Sequence, residues 1–463
     1  ALVFSASTMT AVAGPRSCDD RNNNTFKKLL ECVTVDGVRE HQAAFQAIAD
    51  ANGGTRAAGT TGYAASAAYV ADAMTAAGYD VILQPFDISV FYLTGPSTLE
   101  QIAPVPTVYA ENADFDVMEY SASGNVTASV TAVDLDLGLG NASTSGCEAA
   151  DFAGFPAGNI ALLQRGACNF QLKAENAAAA GAVGAIIFNQ GNDLGRTDLF
   201  FGTLSSFYSG GIPVVSTSYD LGVDWAGTPG LVMNLVVDAF SGTVTDYNVI
   251  AESTWGDPSR VVMVGAALDS PAGGPGINNN GSGSAAILEV ALLMDKVKPH
   301  NKVRFAWWGG AFLNLIGSET YVNSLTQGEL DDIVLYLGFD TIGSPNYVRF
   351  VNDGDGSEFG VPGAPGSDDI ETLFENFFGD RGLAIEPTLD GWAFTDAVNF
   401  FVADVPFGGL YTGSVEIKTP AQAAVYGGTA GDPLDPCSQL PCDTFDNVSL
   451  EVLDQNADAA AYA

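Results

Sequence analysis

Basic residues are scarce in this chain of 463 residues: 17 Lys and Arg stand against 55 Asp and Glu, a formal charge of −38. That balance excludes a nucleic acid or an anionic membrane surface as the default partner, since both would be repelled. Histidine is nearly absent, with His41 and His300 the only two. A Ser-His-Asp triad therefore has almost nothing to draw on. No apolar run approaches the ~20 residues that a membrane span needs. There is no Cys-x-x-Cys, so cysteine zinc sites are not expected. What is abundant is apolar residues, 47% of the chain, so the acidity does not signal disorder.

The six cysteines fall into three local pairs: Cys18 with Cys32, Cys147 with Cys168, and Cys437 with Cys442. An even number in local pairs predicts three disulfides and a secreted, extracellular protein. Asn-x-Ser/Thr acceptors at Asn23, Asn125, Asn141, Asn280 and Asn447 would mark surface loops if they carry glycans. The first fifteen residues are uncharged, ALVFSASTMTAVAGP. They read either as the tail of a signal peptide, cleaved near Ala11-Val12-Ala13, or as a retained apolar arm. As an extended arm, Leu2 and Phe4 share one strand face and Val3 takes the other, so the arm could join a neighbouring subunit.

Apolar spacing predicts helices over 36–50 and 63–78, then a strand over 79–86. Residues 95–245 change to short strands and turns rich in Gly, Ser, Thr and Val. They read as an inserted, mostly β domain. From 246 the strand–helix alternation returns, with strands at 261–266, 302–308 and 334–340 and helices at 282–297, 318–325 and 368–378. The fold class is α/β: a mostly parallel sheet flanked by helices, interrupted by the insert. The expected organisation is an arm (1–21), a first part (22–94), the insert (95–245) and a second part (246–463).

Several segments then carry a resemblance. GGTRAAGTTGYAASAAYVADAMTAAGYDVILQPF (53–86), GAALDSPAGGPGINNNGSGSAA, RFAWWGGAFLNLIGSETY, LGFDTIGSPNY and GGTAGDPLDPCSQLPCDT are similar, in order and spacing, to zinc-dependent aminopeptidases of the M28 type. The insert resembles a protease-associated domain through LLQRGACNFQLKAENAAAAGAVGAIIFN and GIPVVS. The resemblance implies two zinc ions, held by two histidines and three carboxylates, with a glutamate as general base.

Carried over position by position, the resemblance implies a degenerate site. Ala267 stands for the first histidine ligand and Asn279 for the bridging aspartate. Ala311 and Phe312 stand for the adjacent glutamates, base then ligand. Gln439, after Ser438, stands for the last histidine. Asp340 keeps its type, and Asp269 keeps a carboxylate behind the ligands. A catalytic zinc uses three protein ligands, so the expectation is a pseudoenzyme with no zinc and no catalytic residues. Its role would be that of a structural subunit in an extracellular homopolymer, a filament or surface assembly joined through the N-terminal arm. The alternatives are a non-catalytic peptide- or glycan-binding protein, with Trp392, Phe312 and Tyr411 near the cleft, or an active aminopeptidase with a rebuilt site.

Gly281-Ser282-Gly283 reads as a structural turn rather than a nucleophile. Asp353-Gly-Asp355-Gly-Ser357-Glu358 is dense in hard oxygen ligands, so it reads as a calcium site at Asp353 and Asp355 or as a solvated acidic turn. Asp396 is expected to be structural.

Overall fold

The computed structural model describes Cys18 and residues 21–463. The arm at Leu2, Val3 and Phe4, and with it the expected self-association, lies outside the described residues. The described residues divide into two compact units, one formed by those up to Ile88 with 245–463 and the other by 89–244. The inserted unit thus begins six residues earlier than the composition suggests. The strand read as ending at residue 86 runs on to Leu93, which carries the chain into the insert as strand rather than as loop.

In the first unit, helices α1 (Val35–Ala51) and α2 (Thr61–Ala76) open the fold. Each starts where a threonine hydroxyl accepts an orphan N–H, Thr34 from Gly37 and Thr60 from Tyr63. The spacing of Val38, Ala44, Phe45 and Ile48 predicts the inward face of α1; Val38 and Phe45 are buried, Ala44 and Ile48 are partly so, and Ala49 is buried with them. An eight-stranded sheet follows: β1 (Asp80–Leu93), β2 (Ala239–Glu252), β3 (Asp257–Ala267), β4 (Asn301–Trp308), β5 (Ile333–Phe339), β6 (Phe350–Asn352), β7 (Glu386–Thr388) and β8 (Phe407–Tyr411). The spatial order is β1-β2-β4-β3-β5-β8-β6-β7. The central strands β4, β3, β5 and β8 are parallel, while β2 and β6 join them antiparallel.

Alternation along these strands builds two cores. Phe305, Trp307, Leu337 and Phe339 face one side, with α1, α2 and three later helices: α3 (Gly281–Leu293), α4 (Ser367–Gly379) and α5 (Leu450–Tyr462). Ala306, Trp308, Tyr336 and Phe407 face the other, with Tyr321, Trp392 and Phe400. A parallel sheet covered on both faces needs this all-apolar strand composition.

The second unit is also built on an eight-stranded sheet, whose parallel part pairs 160–164 with 184–188 and 184–188 with 214–217. Its cores gather Leu163, Ile187 and Val214 on one side and Leu162, Ile186 and Val215 on the other. No helix among the described residues is long and apolar enough to cross a membrane.

All three expected disulfides are present. Two of the expected glycan acceptors are corrected. Asn280 is fully buried; its amide donates to the Phe339 carbonyl and its Oδ1 accepts from Gly283 and Thr341. Asn23 is 3% exposed and donates to Leu293 O. Neither amide nitrogen can carry a sugar in the folded chain, because each is committed to an interior carbonyl. Asn125 is exposed, and Asn141 and Asn447 are partly so.

Candidate functional site

A parallel sheet places ligands beyond the carboxyl ends of its strands, where loops diverge. A cavity of about 270 Å³ lies there. All six positions compared with the M28 pattern line it: Ala267 at the end of β3, Ala311 and Phe312 after β4, Asp340 after β5, Asn279 before α3, and Gln439 inside the Cys437–Cys442 loop. The wall is completed by Leu315, Thr341, Asp390, Phe394, Thr395, Tyr411 and Ser414. Residues far apart in sequence thus converge on one pocket.

Asp269 positions part of this wall from below. It is fully buried, and its carboxylate accepts the Ala311 and Phe312 N–H groups at 3.0 and 3.4 Å. Burial pushes its pKa up to about 7, opposed by those two bonds and by the nearby Arg56 charge. Arg56 is itself buried and donates to the carbonyls of Pro275, Leu268 and Gly276 at 2.9, 2.5 and 2.8 Å. It ties down the 268–276 loop that leads from Ala267 to Asn279. Gly309 is required where the β4 loop leaves the sheet, since a Cβ there would meet the Tyr63 hydroxyl at 2.1 Å.

On the opposite rim, the Asn279 amide donates to Ser438 Oγ at 3.2 Å, its backbone N–H donates to Asp443, and Ser438 bonds Ser414. Asp340 accepts from Thr341 Oγ1 at 2.6 Å, and burial raises its pKa to about 6. Burial raises Asp390 as well, with the Glu416 charge second. Tyr411 donates to Glu416 at 2.8 Å. No residue lining the cavity is basic.

Some expected neighbours lie elsewhere. Trp392 is 3% exposed and packs on Phe401 and Phe407 in the core. Asp396 is buried on Ser318 Oγ at 2.5 Å, a structural place as expected. Ser282 is fully buried, with its hydroxyl on Asn278 O, so it is a turn residue. His41 on α1 meets Tyr69 of α2 and Glu289 of α3, away from the pocket. Leu315, Phe394, Ser414 and Glu416 were not singled out from the sequence; only Phe394, two residues beyond Trp392, carried a nearby signal.

Comparison with known proteins agrees with this geometry. Residues 248–463 match the model of peptidase family M28, and 126–225 match the PA domain. An aminopeptidase of Pseudomonas aeruginosa is 50% identical over 434 residues, spanning 94% of this chain and 81% of that protein. This chain belongs to peptidase family M28. Another relative is leucine aminopeptidase 2 of Trichophyton equinum, 42% identical over 70% of this chain and 64% of its own length. A zinc aminopeptidase from Bacillus subtilis matches with a TM-score of 0.59 at 25% identity, covering 93% of this chain and 94% of that one.

These findings correct the expected role. A pseudoenzyme, a non-enzyme and a filament-forming homopolymer subunit are all overturned by relatives named aminopeptidases along nearly the whole chain. The expectation of no zinc is overturned likewise, because the M28 neighbours include zinc aminopeptidases and zinc is the cofactor that membership suggests.

Zinc takes nitrogen, sulfur and carboxylate ligands, three from protein in a catalytic site. The cavity wall offers the carboxylates of Asp340 and Asp390 and no histidine or cysteine. Among the described residues, the group of three metal-ligating side chains lies elsewhere. The residues present do not fit a pair of zinc ions.

Proposed function

We propose that this chain works in the aminopeptidase class and takes a peptide by its free amino end in the pocket beside Asp340 and Asp390. The observation that carries the reading is the 50% identity, over 94% of the chain, with a protein named aminopeptidase. The pocket supports it. Glu416 acts electrostatically on both Asp340 and Asp390, and no basic residue lines the wall, so a peptide ammonium is attracted. Phe312, Leu315 and Phe394 give the first side chain an apolar wall. Three disulfides suit work outside a reducing compartment.

The test pairs hydrolysis with binding. Aminoacyl p-nitroanilides of Leu, Phe and Ala are supplied with and without zinc, next to their N-acetylated forms. Calorimetry follows the matching dipeptides. Release from the free-amino compounds, with none from the acetylated ones, is the expected result. If neither release nor binding distinguishes free from blocked amino ends, the reading is wrong.

A further inference from the structure

The turn after β6 gathers three carboxylates away from the pocket. Asp353 is 1% exposed; its Oδ2 accepts the Phe359 N–H at 3.0 Å, while its Oδ1 is buried with no hydrogen-bond partner. Asp355 lies on the surface, accepts the Ser357 N–H at 2.7 Å, and comes within bonding reach of the Asp353 carboxyl. Glu371 reaches in from α4, sixteen residues on, and accepts the Gly354 and Asp355 N–H groups at 2.9 and 3.1 Å. Ligand atoms from the three lie within 4.8 Å of one another.

Like charges facing each other at this range need a cation or a proton. Among the described residues, no Lys or Arg pairs with any of the three within 4.0 Å. Asp353 supplies the decisive observation, since a buried carboxylate oxygen without a donor is costly unless something absent from the protein itself meets it.

We propose that Asp353, Asp355 and Glu371 bind one calcium ion. The set is all oxygen, which selects hard cations over zinc or copper. Calcium takes about six to eight oxygens in a flexible geometry, which suits three carboxylates from a turn and a helix, whereas magnesium demands a near-ideal octahedron and keeps several waters. The sequence pattern had offered Asp353 and Asp355; the third ligand comes from a helix the pattern does not include. Bound there, the ion fastens the turn after β6 to the start of α4. This site is independent of the aminopeptidase reading.

The test uses the full chain, stripped with a calcium chelator and dialysed. Calcium binding is measured by calorimetry in about 0.15 M salt, which screens diffuse attraction to the acidic surface. The expected result is one saturable site with Kd of about 10⁻⁴–10⁻³ M or tighter, as for extracellular modules, and a rise in Tm with calcium. Asp355→Asn, at an exposed position, and Glu371→Gln should each weaken binding by about tenfold or more, as ligand charge sets affinity, and remove the Tm rise. The proposal is overturned if the stripped chain shows no saturable binding, if both variants bind calcium as the parent does, or if magnesium binds equally well.

Discussion

Arg56→Met is the substitution whose consequence the structure defines most closely. The methionine keeps much of the aliphatic stem and so removes the guanidinium with little loss of volume. Two buried carbonyls, of Pro275 and Leu268, then lose their donor together, and that of Gly276 keeps only the Gly281 N–H. Each orphaned group costs about 1–3 kcal/mol before relaxation. Asp269 and Asp443 also lose a neighbouring positive charge. Removing one side of a buried charge arrangement costs about 3–5 kcal/mol, and we take that range for the whole. With a urea slope of about 3 kcal/mol/M, the upper end for small domains, the midpoint falls by about 1–1.7 M. Four of the five tryptophans, at 255, 307, 308 and 392, lie in the same unit as Arg56, so their fluorescence reports the relevant transition. Arg56→Lys keeps the charge but cannot span three carbonyls, so it should fall between parent and Met. A loss below about 1 kcal/mol, the ordinary worth of one hydrogen bond, for Arg56→Met would refute the claim that this side chain anchors the loop under the pocket.

Three further outcomes follow from the same geometry. Asp269 and Asp396 titrate in the native state near 7 and 8, both raised by burial from 3.8, so the folded chain holds their protons longer than the unfolded one. Their stabilisation is complete below about pH 4 and is lost as pH rises through those native values; Tm should be higher at pH 5 than at pH 8, and Asp396→Asn should flatten the profile. Replacing Cys147 and Cys168 by alanine opens a bridge spanning 21 residues, a loss of about 3 kcal/mol, seen by calorimetry as an earlier transition of the 89–244 unit with the other unit unmoved. Asp390→Asn should lower the preference for free over acetylated amino ends by about tenfold, one charge-assisted contact at 1.4 kcal/mol; an unchanged preference would remove Asp390 from the recognition scheme.

The fold was legible where burial is periodic. The 36–50 helix and the 302–308 strand appear as Val35–Ala51 and Asn301–Trp308 because their apolar residues fall at helical spacing or in one buried run. Helix Leu450–Tyr462 was not anticipated. Its buried face is Val452, Leu453, Asn456 and three alanines, too weak a stripe to stand out. In the site, the positions brought together by family resemblance do meet in one cavity. What they could not supply was the rest of the wall. Leu315 and Ser414 belong to loops whose sequences carry no pattern of their own, and only the packing brings them in. Nor could local pattern show that Asn280 is enclosed, because its partners at Phe339 and Thr341 are about sixty residues away.

The enclosure of Asn280 has a practical side. Its sequon is accessible only while the chain is unfolded, the moment at which a eukaryotic secretory host attaches glycans to nascent protein. A sugar added then would sit on an amide that must later close onto Phe339, so the modified chain could not complete the start of α3. Recombinant production in yeast or insect cells would therefore divide the product into folded molecules free of sugar at this position and glycosylated ones retained by quality control. A bacterial host, with no such enzyme in its path, avoids the choice.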